Sequence, residues 1–431
     1  MSSDTLPLSS FLKLKKGLSY KGDYLDQTGP PLIGIGSVLE GGGFRDHKLR
    51  MYSGPYKDDH KIAEGDVFVA MTNMAEETSR FLGSVAKLPQ IPSGCGILTH
   101  HVSKVVWKTT DPILRDFFLY WMMRCSQFQL HCRYFGTGTT VYAVKGKDVE
   151  RYLVNSYPTE EQQALVHVLN QLSNLQQEVH SMLERLEEQI GGLFRSWFID
   201  FDAVKAKAEG KLLYGLDDET AALFPDSFEN SEIGPIPTGW RVGMMEDVLS
   251  QKQDSTTPGE HLSTRHYVPI DNIDSKSLTL KNWLPYTDAA SSLILFSKND
   301  LLFGAMRPYF HKVTIAPFDG ITRSTCFVFV PKVQGTLGFS LCLLNLDSTI
   351  RYATDSSLGS TMPYATWKKG LARHKTVLPP PKIMVAFSNA IAPHIEKIRD
   401  GGVMIRSLSS TRDALLLRMM SGEPKRAEVI T

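Results

Sequence analysis

From Thr159 onward, polar and apolar positions fall into a seven-residue rhythm. Leu165, Leu172, Val179, Leu186 and Leu193 form one row. Val168, Leu175 and Met182 sit three positions on, and Leu169, Leu183, Ile190 and Trp197 four on, with Gln, Glu and Arg outside. A rhythm held for about five heptads predicts a coiled-coil helix roughly 55–60 Å long at 1.5 Å per residue. Thr159-Glu160-Glu161-Gln162 ahead of it reads as a capping box, in which a hydroxyl takes an orphan amide and a glutamine reaches back. One continuous apolar seam needs a partner, and residues 380–420 supply it. Met384, Ile391, Ile398, Ile405 and Met419 share a heptad phase, with Phe387, Ile395, Leu408 and Leu415 alongside. Pro393 and Gly401-Gly402 predict that this second helix is kinked or broken, and Gly191-Gly192 loosened final turns in the first.

Outside the helices the pattern shortens to β-rich runs punctuated by Gly and Pro. Val67 to Val69 and Val102 to Trp107 read as strands, and Ile113 to Phe128 as helical. In the second half Leu293 to Phe296, Leu301 to Met306 and Thr325 to Val330 read as strands. The two halves share landmarks. Gly138-Thr139-Thr140 returns as Gly359-Ser360-Thr361, and Pro158 as Pro379, both at an offset of 221. Leu32-Ile33-Gly34-Ile35 matches Tyr267-Val268-Pro269-Ile270 at 235, and Gly65-Asp66-Val67 matches Asn299-Asp300-Leu301 at 234. Spacings this long mark a duplicated domain plus helix rather than a solenoid unit. The reading is α+β: domains at 1–155 and 223–376, and helical spacers at 156–222 and 377–425.

Composition adds bounds. The chain has 431 residues, 42% apolar and 22% charged, as in ordinary globular proteins. No run of 18 uncharged apolar residues occurs, so no membrane partner is expected. Met1-Ser2-Ser3-Asp4-Thr5-Leu6-Pro7 lacks the basic-then-apolar layout of a signal peptide. Five scattered cysteines (Cys95, Cys125, Cys132, Cys326, Cys342) point to reduced thiols and a cytoplasmic setting. The formal net charge is only +1, so any nucleic-acid affinity requires local positive surface or a partner that shares the phosphate contacts.

Catalytic motifs are missing. Gly34-Ile35-Gly36 meets Leu39 and Gly136-Thr137-Gly138 meets Val141 where a dinucleotide site needs its third glycine. No Gly-x4-Gly-Lys-[Ser/Thr] loop or Gly-x-Ser-x-Gly elbow occurs. Cys125, His131 and Cys132 lack paired zinc spacings, and His100-His101 stands apart from any His-Glu-x-x-His pattern. Asn155-Ser156-Tyr157-Pro158 lacks the prolines of the amino-methyltransferase Asn-Pro-Pro-Tyr motif.

Two stretches carry a resemblance. Leu193-Phe194-Arg195-Ser196-Trp197-Phe198-Ile199-Asp200-Phe201-Asp202, running on to Lys205-Ala206-Lys207-Ala208-Glu209-Gly210, resembles the central conserved region of type I restriction–modification specificity subunits. So do Leu223-Phe224-Pro225-Asp226-Ser227-Phe228 and Ile236-Pro237-Thr238-Gly239-Trp240, and Leu417 to Glu423 is similar to that family's C-terminal ending. With the duplication, the likeness covers essentially the whole chain. It implies two target-recognition domains, each reading half of a split double-stranded DNA sequence, spaced by two long antiparallel helices. It implies two copies of a methyltransferase subunit that binds S-adenosylmethionine and modifies adenine, and a restriction subunit that can join; the chain itself holds no cofactor and no metal. The first half departs by lacking the Pro-x-Gly-Trp opening, and the second helix by having Pro380-Pro381-Lys382-Ile383 where the first has its capping box. A specificity partner of a type IIB nuclease–methylase has the same look. From another class, a stand-alone methyltransferase or nuclease is disfavoured by the missing motifs.

Direct readout needs side chains matched to base edges, beside groups that hold phosphates. After Gly41-Gly42-Gly43, Arg45, His47, Lys48, Arg50, Tyr52, Tyr56 and Lys57 interleave basic and aromatic residues, a pattern that a solvated loop also shows. Thr139 and Thr140 with Tyr142 and Lys145 offer amides and hydroxyls to a phosphate, and Ser360, Thr361, Tyr364, Trp367, Lys368 and Lys369 repeat the arrangement. In the second domain Arg307, Tyr309, His311, Lys312 and Arg323 follow strands, Arg307 being the first choice because a bidentate guanidinium on guanine is the commonest specific contact.

Overall fold

The structure is a computed structural model. It describes residues 5–421 apart from 40, 46–48, 75–80, 117–120, 139–140, 156–158, 212–214 and 360. The chain divides into two compact units, Met1–Asn174 with Ser410–Thr431, and Leu175–Ser409. Each is α+β. The capping-box side chains, the Pro158 landmark and the side chains of 417–423 lie outside the described residues.

In the first unit, β1 (Leu12–Lys16), β2 (Val67–Ala70), β3 (Val85–Lys87) and β4 (Val102–Trp107) form an antiparallel sheet in the order β1-β4-β2-β3. The all-apolar Val67-Phe68-Val69-Ala70 run is buried on both faces, as expected of a central strand. A second sheet pairs Leu32-Ile33 in parallel with Ile97-Leu98, and Lys61–Ala63 joins the same strand antiparallel. Val67, Val69 and Val105 pack with Phe128 and Cys132 of α1 (Ser126–Tyr134). Val166 and Leu169 of α2 (Thr159–Phe198) close the same core. The stretch read as helical from Ile113 to Phe128 is, among the described residues, a series of short helical segments, among them Pro112–Leu114 and Met122–Arg124, rather than one helix. The α1 helix starts only at Ser126, where the Cys125 Sγ accepts the Phe128 amide at 3.4 Å.

The second unit repeats the plan. Its strands β5 (Leu249–Lys252), β6 (Leu301–Gly304), β7 (Val313–Ile315) and β8 (Cys326–Pro331) run in the order β5-β8-β6-β7. His266-Tyr267 pairs in parallel with Gly320-Ile321, and Leu293–Phe296 joins antiparallel. The helix α3 (Asp347–Asp355) stands 221 residues after α1. Landmarks of the repeat acquire physical reasons here. Gly65 (φ 81°) and Asn299 (φ 74°) fill one left-handed turn position, which glycine and asparagine tolerate best. The following carboxylate closes that turn, Asp66 accepting the Ala63 amide at 2.9 Å and Asp300 the Ser297 amide at 2.7 Å.

The resemblance-bearing aromatic run is core. Phe194, Trp197 and Phe198 meet Phe387 of α4 (Pro381–Ser421) at ring-centroid distances of 5.5, 5.4 and 5.1 Å, and Trp240 stands 5.9 Å from Phe198. In this unit the helices run antiparallel, since Gln176 hydrogen-bonds Ser409 at 3.0 Å while Phe194 meets Phe387. The seam differs in detail from the expected row. Leu169, Leu183, Ile190 and Trp197 are the buried heptad row of α2, whereas Leu165, Leu172, Leu186 and Leu193 are half-buried and Leu175 is 39% exposed; Val179 is buried. In α4 the row Ile391, Ile398 and Ile405 is buried as expected.

The expected break in α4 is absent. Pro381 is its first helical residue, where proline's missing N–H costs nothing. Pro393 lies inside one uninterrupted helix, on an exposed face where water can take the carbonyl that proline leaves free. Gly401 and Gly402 are close-packing residues rather than breakers. A Cβ on Gly401 would lie 2.6 Å from the Leu183 Cδ2, and one on Gly402 would overlap the Leu280 carbonyl oxygen. Gly191 and Gly192 also sit within an unbroken α2, with open space around both.

Candidate nucleic-acid interfaces

The same bridge closes around the duplicated Gly-[Ser/Thr]-Thr landmark in both units. Thr137 pairs with Ala143 in the first unit and Leu358 with Tyr364 in the second, each at the 221 offset. Gly138 (φ 132°) and Gly359 (φ 90°) occupy left-handed positions that an L side chain rarely adopts. Thr139, Thr140 and Ser360 lie outside the described residues, and Thr361 is exposed. Tyr142 lies against Gly136, whose added Cβ would stand 2.5 Å from the ring, so it braces the turn from inside. Lys145 is exposed at the start of the helical turn Gly146–Glu150. Tyr364 braces the second copy, its hydroxyl donating to the Ser324 carbonyl and its ring edge-on to Phe327 at 6.0 Å. Lys368 and Lys369 are exposed.

In the first unit Arg45 is exposed, with its guanidinium 6.0 Å from the Phe81 ring centroid. Arg50 is exposed while its carbonyl accepts the Leu32 amide at 2.7 Å. His47 and Lys48 lie outside the described residues. Tyr52 is only 3% exposed, edge-on to Tyr20 at 6.3 Å and Tyr24 at 6.1 Å, which makes it support for the loop.

The second unit brings more of its candidates together. Arg307 sits in the left-handed region (φ 51°), its amide donating to the Pro363 carbonyl at 2.7 Å. That bond ties the Arg307 loop to the Leu358–Tyr364 turn, so both candidate loops share one side of the domain. The Arg307 Nε is buried with no hydrogen-bond partner among the described residues. Tyr309 is 49% exposed, and Phe310, which sequence reasoning passed over, is 44% exposed with its ring 4.8 Å from that of Tyr309. Its place in the same Pro308–Phe310 turn was the available signal. His311 is 6% exposed, its Nε2 held by the Asn345 Oδ1 at 2.8 Å and backbone oxygen at 3.1 Å. The Lys312 Nζ donates to the Ile270 carbonyl at 2.8 Å. His311 and Lys312 therefore brace the loop that displays Arg307 and Tyr309. Arg323 is exposed at the end of the strand Gly320–Arg323.

Among the described residues no group of three or more His, Cys, Asp or Glu could hold a metal ion. Burial pushes the thiols of Cys132, Cys326 and Cys342 up to about 12, so they stay protonated at neutral pH. No helix among the described residues is long and apolar enough to cross a membrane.

Each unit carries one copy of the same α+β scaffold with exposed cationic and aromatic side chains, so the chain is an internal duplication. No protein-family model matches the chain. It is 24% identical over 316 residues to the type I restriction enzyme MjaIX specificity subunit of Methanocaldococcus jannaschii, covering 71% of this chain and 68% of that protein. It is 26% identical over 248 residues to the type I restriction enzyme EcoDI specificity subunit of Escherichia coli, covering 54% of this chain and 53% of the relative. The crystal structure of the type I restriction–modification S subunit from M. genitalium shares the fold, with a TM-score of 0.55 and 13% identity over 97% of this chain and 96% of that one. The chain is thus similar in sequence to type I restriction enzyme specificity subunits and shares its fold with a solved S subunit of a type I restriction–modification system.

Proposed function

We propose that the chain reads a bipartite, asymmetric double-stranded DNA target, one half-site per α+β copy, with 1–155 and 223–376 as readers. The helical stretches 156–222 and 377–425 set the number of unread base pairs between the half-sites. The observation that carries this reading is the turn repeated at Thr137–Ala143 and Leu358–Tyr364, because it puts a loop of different composition at one place on two equivalent scaffolds. In the second copy Arg307 and Tyr309 are the base-reading candidates, and Lys368 and Lys369 the phosphate-holding ones. In the first, Arg45 and Arg50 take the corresponding roles. Two copies of a methyltransferase subunit assemble on the chain, bind S-adenosylmethionine and modify adenine, and restriction subunits join that complex in the cytoplasm. A net charge of +1 supports phosphate contacts shared with such partners.

Mapping methylated adenines in cells that express this chain with its methyltransferase subunit tests the reading. One split motif with a fixed gap is expected. Methylation at a continuous motif, or methylation unchanged when this chain is omitted, would overturn it. Binding of S-adenosylmethionine by the purified chain alone would favour a stand-alone methyltransferase instead.

A further inference from the structure

The second reader is gripped by both long helices through one loop. Residues 277–283 belong to that reader's core, since Leu280 and Trp283 pack with Phe296, Leu302 and Val328 of its sheets. From α2, the Glu187 Oε1 accepts the Thr279 hydroxyl at 2.8 Å and the Ser277 hydroxyl at 3.2 Å. From α4, Arg406 donates to the Trp283 carbonyl at 2.6 Å, and its guanidinium carbon lies 4.0 Å from the Trp283 ring centroid. Between them Gly402 admits the Leu280 carbonyl so closely that no Cβ fits. Apolar contact alone would hold the loop to the helices. Half-buried carboxylate and guanidinium groups cost desolvation and give direction in return, because their bonds hold at one orientation only. The carboxylate of Glu187 is held above its usual range by burial, which the two hydroxyls partly offset.

We propose that Glu187 and Arg406 are positioning residues that fix the orientation of the second reader on the helical pair and so restrict the target to one spacing between half-sites. The inference rests on the DNA-reading function proposed above. One base pair more or less moves a half-site by about 3.4 Å and turns it by about 35° around the duplex. A latched domain cannot follow that rotation, whereas an unlatched one can.

The test uses the full chain co-expressed with its methyltransferase subunit, on plasmids carrying the mapped half-sites at the native spacing and at one base pair more and less. The unaltered chain is expected to prefer native spacing by at least about tenfold, a step comparable with one mismatched base pair. Glu187→Ala and Arg406→Ala should each bring that preference down to about threefold or less. Their half-site bases should stay the same. Glu187→Gln keeps an acceptor oxygen for Thr279 and should retain the original preference. If Glu187→Ala fails to accumulate, Arg406→Lys, which keeps charge but loses the planar donor geometry, reads the same ratio. Variants that keep the spacing preference, or lose methylation by one factor at every spacing, overturn the latch while leaving the bipartite reading intact. An unaltered chain with no half-site preference overturns both.

Discussion

Four glycines in the long helices look alike in the sequence and should respond oppositely to alanine. Gly191 and Gly192 have nothing within 4 Å of an added Cβ. Alanine there removes only the helix penalty of glycine, worth about 0.5–1 kcal/mol of stabilisation each. At Gly402 the added Cβ would overlap the Leu280 carbonyl oxygen and stand 2.9 Å from its carbonyl carbon and 3.0 Å from the Thr279 Cγ2. A backbone carbonyl cannot rotate away as a side-chain end can, so helix and loop must separate. Overpacking of this kind costs about 1–3 kcal/mol, against which the propensity gain returns about 1 kcal/mol. The net expectation for Gly402→Ala is a loss of up to about 2 kcal/mol, or up to roughly 8 °C in Tm for a unit of this size. Urea unfolding followed by tryptophan fluorescence reports on it through Trp197, Trp240 and Trp283, which lie in the same unit. Gly402→Ala as stable as Gly191→Ala would refute the reasoning about Cβ room.

Other perturbations separate reading from bracing. Arg307→Ala should relax one base of one half-site by about 1–3 kcal/mol, scored by methylation of a half-site library, and unchanged preference at every position would remove Arg307 from the readers. Replacing Lys368 and Lys369 by alanine should lower binding to all sequences alike and reduce the log–log salt slope by about one per lysine; a slope equal to the parent's would mean neither touches phosphate. His311→Ala should cost about 1–3 kcal/mol in unfolding experiments without altering the bases read, because Asn345 loses its buried partner. Glu187 has a folded-state pKa raised by burial, so its contribution is most favourable below the ordinary carboxylate range and is lost as pH rises through the folded value. The stability of Glu187→Gln relative to the parent should therefore improve between about pH 4 and pH 7, and a pH-independent difference would contradict it.

The duplication was legible because it is recorded in residues with local backbone duties. Gly65 and Asn299, or Gly138 and Gly359, hold left-handed positions that few residues can fill, so the landmarks survive in a single sequence. The helices were legible from their period, but the period could not say which of two adjacent apolar rows faces the partner. Leu172 and Leu169 satisfy it equally, and only the packing of α2 against its surroundings buries Leu169 more deeply. Pro393 leaves the helix unbroken for a related reason: its cost depends on whether water reaches the freed carbonyl, a property of the assembled face. Among the loop residues, basic and aromatic character marked the right neighbourhood without sorting display from support. Tyr52 carries the same chemistry as Tyr309, and tertiary burial alone separates them, 3% against 49% exposed.

The Gln176–Ser409 hydrogen bond has a consequence for slippage. Gln176 occupies the heptad position between Leu169 and Leu183, a polar side chain between apolar ones, and its amide Nε2 reaches Ser409 across the pair at 3.0 Å. Sliding one helix by a turn would set that amide against hydrocarbon and leave the serine facing a leucine row, at a cost of about 1–3 kcal/mol for the orphaned polar group. The two helices are thus pinned in a single register. A length change evolved in one of them is neutral only when matched by an equal number of whole heptads in the other.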